Sequence, residues 1–357
     1  MPVGTVSSVL KTIYGISSRI PSLHYPTPQT SSGANDPTMG KSDKSLSLFI
    51  RLYTHNIRYD NNNLWEGERP WSERKYAVAS SIKFNAAGDT NNLVVALQEV
   101  LENQVKDLHE LLGADEWSYY GIGREDGITR GEYSPIFWKT SSWELLESST
   151  FWLSETPDRP SKGWDAHLER IVGWVRLKNR KSGIKVNVYS THFDDQGVVA
   201  RREATKLIIS KMQGTNDDPS FLAGDFNTEP TDEPYKVASH HLLDISKQVT
   251  HKADKYGHYG DVTYTGFDGG IRERAKVIDY IWCENPDKQR EKGYSLKFSG
   301  SGVLHSQYNG EYMSDHRPVV ADVIVEKAIK DDGSNNDKDY VILFKPKEDE
   351  TNKVIAL

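Results

Sequence analysis

The 357 residues contain one cysteine, Cys283, so no disulfide can form within the chain. That excludes a disulfide-held scaffold and makes a reducing, cytoplasmic setting the first expectation, with a mitochondrial one as the alternative. Cys283 lies in the apolar run VIDYIWC, where a free thiol behaves as a small buried hydrophobe. No run of about 18 apolar residues occurs, which argues against a membrane-spanning helix. Positive charge is also short: 44 Lys and Arg stand against 51 Asp and Glu, a formal net charge of −7. A broad electrostatic grip on long nucleic acid needs the opposite sign. A small phosphorylated substrate, or a single-stranded 3′ end held by a few Arg and Lys, is compatible with it.

Residues 1–45 are rich in Ser, Thr, Pro and Gly, and Lys11 interrupts the apolar block a secretory signal would need. The segment reads as a disordered extension, with an organelle-targeting segment as the alternative. No internal repeat is visible and no linker divides 46–326, so one domain is expected there. The tail 327–357 is charged, with DYVILFKP as a candidate edge strand.

Within 46–326, short apolar runs alternate with turn-rich loops. LSLFIRLYTHNIRY, NLVVALQEV, SPIFWKT, RIVGWVRLKN, GIKVNVYSTHF, SFLAGDF, KVIDYIWC and RPVVADVIVE read as strands. Several are apolar throughout, as strands covered on both faces are. NQVKDLHELLG carries Val105, Leu108, Leu111 and Leu112 on one helical stripe, with Gly113 as its C-cap. RREATKLIISKM turns Ala204, Leu207, Ile208 and Met212 inward, and Ser72 is expected to cap a helix through KYAVASSIKF. Many strands and few helices suggest two sheets face to face with helices outside.

Five segments place a polar residue where an apolar run stops: THNIRYD (Asn56), ALQEV (Glu99), STHFDD (His192), AGDFN (Asp225, Asn227) and MSDHRP (Asp315, His316). A sixth, VIDYI, sets Asp279 inside an apolar strand, where an unpaired carboxylate would be costly. Singly, each has an ordinary explanation as a surface acid, a core histidine or a turn. Their joint order does not. The ordered set N…QE…TH…GDFN…DY…SDH resembles the endonuclease/exonuclease/phosphatase superfamily, the DNase I-like group that includes nucleases, deadenylases and inositol polyphosphate 5-phosphatases. The resemblance covers roughly Leu52 to Val325. GREDGITRGEYSPIFW and FWLSETPDRPSKGWDAHLERIVGW resemble a branch shared by bacteria and fungi, near the deadenylase-type group.

The resemblance implies a four-layer α/β sandwich and a divalent-metal-dependent phosphoesterase. Glu99 matches the metal-binding Glu, suited to Mg²⁺ with Mn²⁺ as the alternative, beside Asn56 as ligand or orienting amide and Asp315 completing the metal site. Asp225 and Asn227 match the pair that positions and deprotonates the attacking water. His316 and His192 match phosphate-contacting histidines, with Asp279 fixing the His316 tautomer. Arg170 falls where a phosphate-binding Arg or Tyr is often found. Either Asp225 or His316 could be the general base. No nucleophile elbow or P-loop is present, so water is the expected attacker.

The family likeness points first to a 3′–5′ exonuclease on single-stranded RNA, with Trp65, Trp71, Trp152, Trp164, Tyr264 and Phe267 as candidates for stacking on bases. Composition points slightly the other way, to a small phosphorylated metabolite, sugar or lipid headgroup under the loop of Arg124, Arg130 and Glu132. An inactive binding scaffold would lack one of Glu99, Asp225, Asn227, Asp315 or His316, and all five are present.

Overall fold

A computed structural model of the protein describes residues 45–87, 92–251, 254–256, 262–267 and 275–329. The expected N-terminal extension up to residue 44, and the tail from 330 with its candidate edge strand, lie outside the described residues. In chain order the elements are β1 (Ser45–Asn56), α1 (Trp71–Asn85), β2 (Leu93–Gln98), α2 (Glu102–Leu112), β3 (Trp117–Tyr120), β4 (Ile136–Lys139), β5 (Trp143–Trp152), β6 (Ile171–Asn179) and β7 (Lys185–His192). Then follow α3 (Val198–Thr215), β8 (Ser220–Asp225), α4 (Glu233–Ser239), β9 (Leu242–Asp244), β10 (Lys255–Tyr256), β11 (Asp279–Glu284), α5 (Pro286–Glu291), β12 (Tyr294–Val303), the pair β13 (Gln307–Tyr308) and β14 (Glu311–Tyr312), and β15 (Val319–Ala328).

Two large mixed sheets result. One has the order β10-β12-β15-β1-β2-β4-β3 and the other β5-β6-β7-β8-β11-β9. Strand periodicity explains why the runs look apolar throughout: successive side chains take opposite faces, and both faces are covered. Leu48, Ile50 and Leu52 of β1 and Val94 and Ala96 of β2 meet Val186, Val188, Phe221, Ala223, Ile281 and Cys283 of the other sheet in a central core. The intervening Tyr53, Leu93, Val95 and Leu97 face outward onto Val78, Ile82, Val105 and Leu108 of α1 and α2. On the far side Tyr189, Leu222 and Trp282 pack on Ala204, Ile208 and Met212 of α3 and Ala238 of α4. The arrangement is the four-layer α/β sandwich expected of a DNase I-like fold. No helix among the described residues is long and apolar enough to cross a membrane.

Within the described residues, each strand and helix expected from sequence is present, with one changed start. α1 begins at Trp71, and Pro70 is its N-cap, without a side-chain capping bond. Ser72 therefore sits inside the first turn rather than before it, because the φ of −60° at Pro70 already sets the chain's entry. Leu207 and Leu111 are only partly buried, being at the edges of their helical stripes.

Candidate active site

Register gathers the expected residues at one end of the central core. β7 and β8 run parallel with His192 opposite Asp225, and β8 pairs antiparallel with β11 so that Asp279 lies opposite Asp225. In the other sheet β1 and β2 are parallel, with Asn56 opposite Gln98. His192 has the parity of Val186 and Val188, Asp225 that of Phe221 and Ala223, Asp279 that of Ile281, and Asn56 that of Leu52. The site is thus the inter-sheet core continued in polar residues to its open end. Below it, Gln98 Nε2 donates to Thr54 Oγ1 at 3.1 Å and to Ser190 Oγ at 3.4 Å, tying the two sheets together.

His316 Nδ1 lies 2.8 Å from Asp279 Oδ2, and its Nε2 lies 3.6 Å from Asp225 Oδ2. Burial disfavours charge on the ring, but the carboxylates of Asp279 and Asp225 overcome it and raise His316 to about 10. Burial likewise raises Asp279. Asp225 moves the other way: burial opposes ionisation, yet the positive charge of His316 and His192 and the backbone N–H of Asn227 hold it below its ordinary value. Asp225 Oδ1 accepts from Asn227 N at 2.8 Å, while Oδ2 accepts from Asn56 Nδ2 at 3.0 Å. Asn227 Nδ2 lies 3.1 Å from His192 Nε2, and the residue has a left-handed φ of 44°.

Glu99 breaks the strand parity with a φ of 60°, the kind of strained backbone a site holds only when its surroundings over-determine it. Its Oε1 accepts from Asn56 Nδ2 at 3.0 Å and its Oε2 from Tyr59 N at 3.2 Å. Asn56 Oδ1 is taken by Arg58 N at 3.0 Å, so the amide presents its nitrogen to both Glu99 and Asp225. On the opposite turn, Ser314 Oγ donates to the carbonyl of Asn56 at 2.7 Å and brings Asp315 to the same end.

A family model for the endonuclease/exonuclease/phosphatase family matches residues 53–316, which span every one of these side chains. The chain belongs to this family. A family member from Bacteroides vulgatus is 32% identical with a TM-score of 0.68, covering 77% of this chain and 98% of that one. A mannosyl-6-phosphatase from Bacteroides thetaiotaomicron is 29% identical with a TM-score of 0.65, covering 77% of this chain and 99% of that one. The Ccr4 exoribonuclease subunit of the CCR4-Not complex from Aspergillus niger is 22% identical over 85% of this chain and 56% of its own length. Across the curated relatives it matches, the chain spans from 25 to 65% of their length.

Members of this family are phosphoester hydrolases and generally use a divalent metal ion. The carboxylates here fit one. Burial, then the negative charges of Glu132 and Asp315, raise Glu99, against the opposing pull of His192 and Arg58. A cation among these acidic oxygens would reverse that penalty, and hard oxygen donors suit a hard divalent ion. A different trio, Asp225, Asp279 and His316, has ligand atoms within 4.8 Å of one another. Within it, the 2.8 Å contact between His316 and Asp279 is an ordinary hydrogen-bond length.

Arg170 is buried and spends its donors within the protein. NH1 reaches His192 Nδ1 at 3.1 Å, Nε reaches Asp194 Oδ2 at 3.4 Å, and NH2 reaches Asp195 Oδ1 at 3.0 Å. Glu132, seen in sequence only as part of a covering loop, comes within 3.5 Å of His192 Nδ1, and both its oxygens are clamped by Arg124 at 2.8 and 3.0 Å. Against burial, contact with His192 and the charge of Arg124 hold Glu132 at about 2. Arg58 and Asp194 were not marked from sequence. The Arg in THNIRYD and the first acid in STHFDD were the available signals, each two residues after one already singled out.

Proposed function

We propose that this enzyme is a Mg²⁺-dependent phosphatase of small phosphorylated substrates, phosphorylated sugars first among them. The observation that carries the choice is the fate of the aromatic side chains. Trp71, Trp152 and Phe267 are buried, Trp164 packs on the outer core, and Tyr264 lies edge-on against His316 at 5.0 Å. Five of the six candidates for stacking along a polynucleotide are thus engaged within the protein. The 29% identity along nearly the whole of a mannosyl-6-phosphatase, and the net charge of −7, support the same reading.

In this reading Glu99 and Asp315 would hold a Mg²⁺ ion, with Mn²⁺ as a substitute, and Asn56 orients the carboxylates of Glu99 and Asp225. The bound ion would supply positive charge to the phosphate oxygens. Asp225 takes the proton of the attacking water: it is kept ionised, and Asn227 fixes its other oxygen. His316 cannot be that base, because a ring held protonated between two carboxylates has no lone pair to offer. It donates to a phosphate oxygen instead, with Asp279 fixing its orientation. His192, held by Arg170, contacts the phosphate from the other sheet strand, and Asn227 stands beside it. These donors act on charge that grows in the transition state, where such contacts accelerate the reaction.

A second reading, a 3′–5′ exonuclease on RNA, is favoured by the Ccr4 likeness and by the exposed Trp65. One panel separates the two: phosphate release from hexose phosphates and mononucleotides, and 3′ shortening of a labelled A-rich RNA, each with Mg²⁺ and with EDTA. Phosphate released from the sugars with RNA left intact is the expected result. Stepwise RNA shortening with no release from sugars would overturn it. Salt gives an independent check, since RNA binding weakens steeply as salt rises and small-ester binding much less.

A further inference from the structure

Next to Glu99 the chain builds an aromatic surface that the chemistry above does not use. Arg58 is buried at 8% exposure, with its guanidinium 4.3 Å from the ring of Tyr59 and 4.3 Å from that of Trp65. Its NH1 lies 3.7 Å from Glu99 Oε2 and its Nε 3.7 Å from Glu68 Oε1. Its backbone has a left-handed φ of 57°, fixed by its N–H on Asn56 Oδ1 and by its carbonyl, which accepts from Gln104 Nε2 at 3.0 Å. Glu68, fully buried in its side chain, accepts the backbone N–H of Trp65 at 3.0 Å. Trp65 is therefore anchored at its backbone and across one ring face, yet remains 49% exposed, one guanidinium away from Glu99.

A cation stacked on an aromatic ring fixes the ring's plane, and a large ring held open costs apolar exposure unless something covers it. We infer that Trp65, stacked on Arg58, is the subsite for the sugar ring of the substrate, taking the C–H face of a pyranose whose phosphate ester lies at Glu99 and Asp225. The inference rests on the small-ester reading and names its substrate class: a cyclic sugar phosphate rather than an open-chain one. The contact is made equally before and in the transition state, so it acts on substrate affinity and on discrimination between substrates.

The test is the ratio of kcat/KM for mannose 6-phosphate to that for glycerol 1-phosphate, a ring-free ester, measured with Mg²⁺ for wild type, Trp65→Ala and Trp65→Phe. The expected result is a ratio lowered about tenfold in Trp65→Ala, mainly through KM for the sugar, and restored to within about twofold in Trp65→Phe, the scale of one aromatic contact. An unchanged ratio in Trp65→Ala, or wild type that cleaves the glycerol ester alone, would overturn the sugar subsite while leaving the small-ester reading intact. If adenosine 5′-phosphate loses more than the hexose phosphate in Trp65→Ala, the platform is a base-stacking one and the sugar assignment is wrong. Release from neither ester by wild type overturns the small-ester reading and this inference together.

Discussion

Asp279 Oδ2 and His316 Nδ1 are joined at 2.8 Å, and both residues are almost completely withdrawn from water. A carboxylate buried in a sheet needs a partner, and an imidazole buried among apolar strands would ordinarily lose its proton. Each residue removes the other's penalty. Asp225, on the neighbouring strand, adds a second negative charge on the far side of the ring. The result is a ring that keeps its proton and an aspartate, Asp225, that gives its proton up. Two groups with opposite tasks are made by one arrangement of charge.

Replacement Asp279→Asn should therefore lower kcat by about 100-fold with a much smaller change in KM, the usual scale for losing the residue that orients a working histidine. Steady-state kinetics on a variant shown to be folded by circular dichroism would check it. A fall of less than about threefold would mean that His316 works without its buried partner.

Glu99 gives a prediction in which stability and activity move in opposite directions. Burial and the nearby Glu132 and Asp315 raise its carboxyl, so its ionised form is a burden on the metal-free fold at neutral pH. Glu99→Gln should raise the melting temperature in EDTA by a few degrees while lowering Mg²⁺-dependent turnover by at least about 1,000-fold. In wild type, Mg²⁺ at about 100 times its Kd should add about 2.7 kcal/mol. That is roughly 5 °C for a domain of this size, and Glu99→Gln should lose most of this shift. Equal Mg²⁺ stabilisation of both proteins would place the ion elsewhere.

Gly224, immediately before Asp225, adopts a φ of 156°, and a Cβ there would come within 2.0 Å of the Thr191 carbonyl oxygen. Neither backbone can yield, because β7 and β8 are paired at this point. Gly224→Ala should cost more than about 3 kcal/mol in urea unfolding, or prevent folding altogether, since the strain and the clash add. A loss below about 1 kcal/mol would show that the strand end adjusts freely.

Much of this was legible beforehand, and the reason is geometric. Asn56, His192 and Asp225 end strands whose preceding alternate residues form the core, so an apolar run closing on a polar residue marks both the strand and its mouth. What escaped detection lacks that contrast. β5 is an edge strand with the burial of its middle residues broken, and β12 carries Gly300 and Gly302 close against Tyr256. The pairing of Arg124 with Glu132, and of Glu132 with His192, joins a loop to a strand far along the chain, and no local pattern announces it. Arg170 could be placed at the site, but not its partners, because its direction depends on Asp194 and Asp195 beyond the end of β7.

That last cluster has a consequence in acid. Asp194 accepts from Gly197 N at 2.7 Å, Leu168 N at 3.1 Å and Arg170 Nε at 3.4 Å. Burial opposes its ionisation, but these donors prevail and hold it at about 2, below the ordinary 3.8. A carboxyl depressed in the folded state stabilises the protein above its unfolded value and loses that contribution as pH falls through the folded one, so the window is from about pH 4 down to pH 2. Asp194→Asn should be less stable than wild type at pH 7 by about 2 kcal/mol, the scale of hydrogen bonds to a charged group, and the difference should shrink across that window. Freed from Asp194, Arg170 holds His192 less firmly, and kcat should fall about tenfold at neutral pH. Urea midpoints of both proteins at pH 7, 4 and 2.5 would decide it: a gap that stays constant would mean that the Asp194 charge contributes nothing to holding Arg170 and His192 in place.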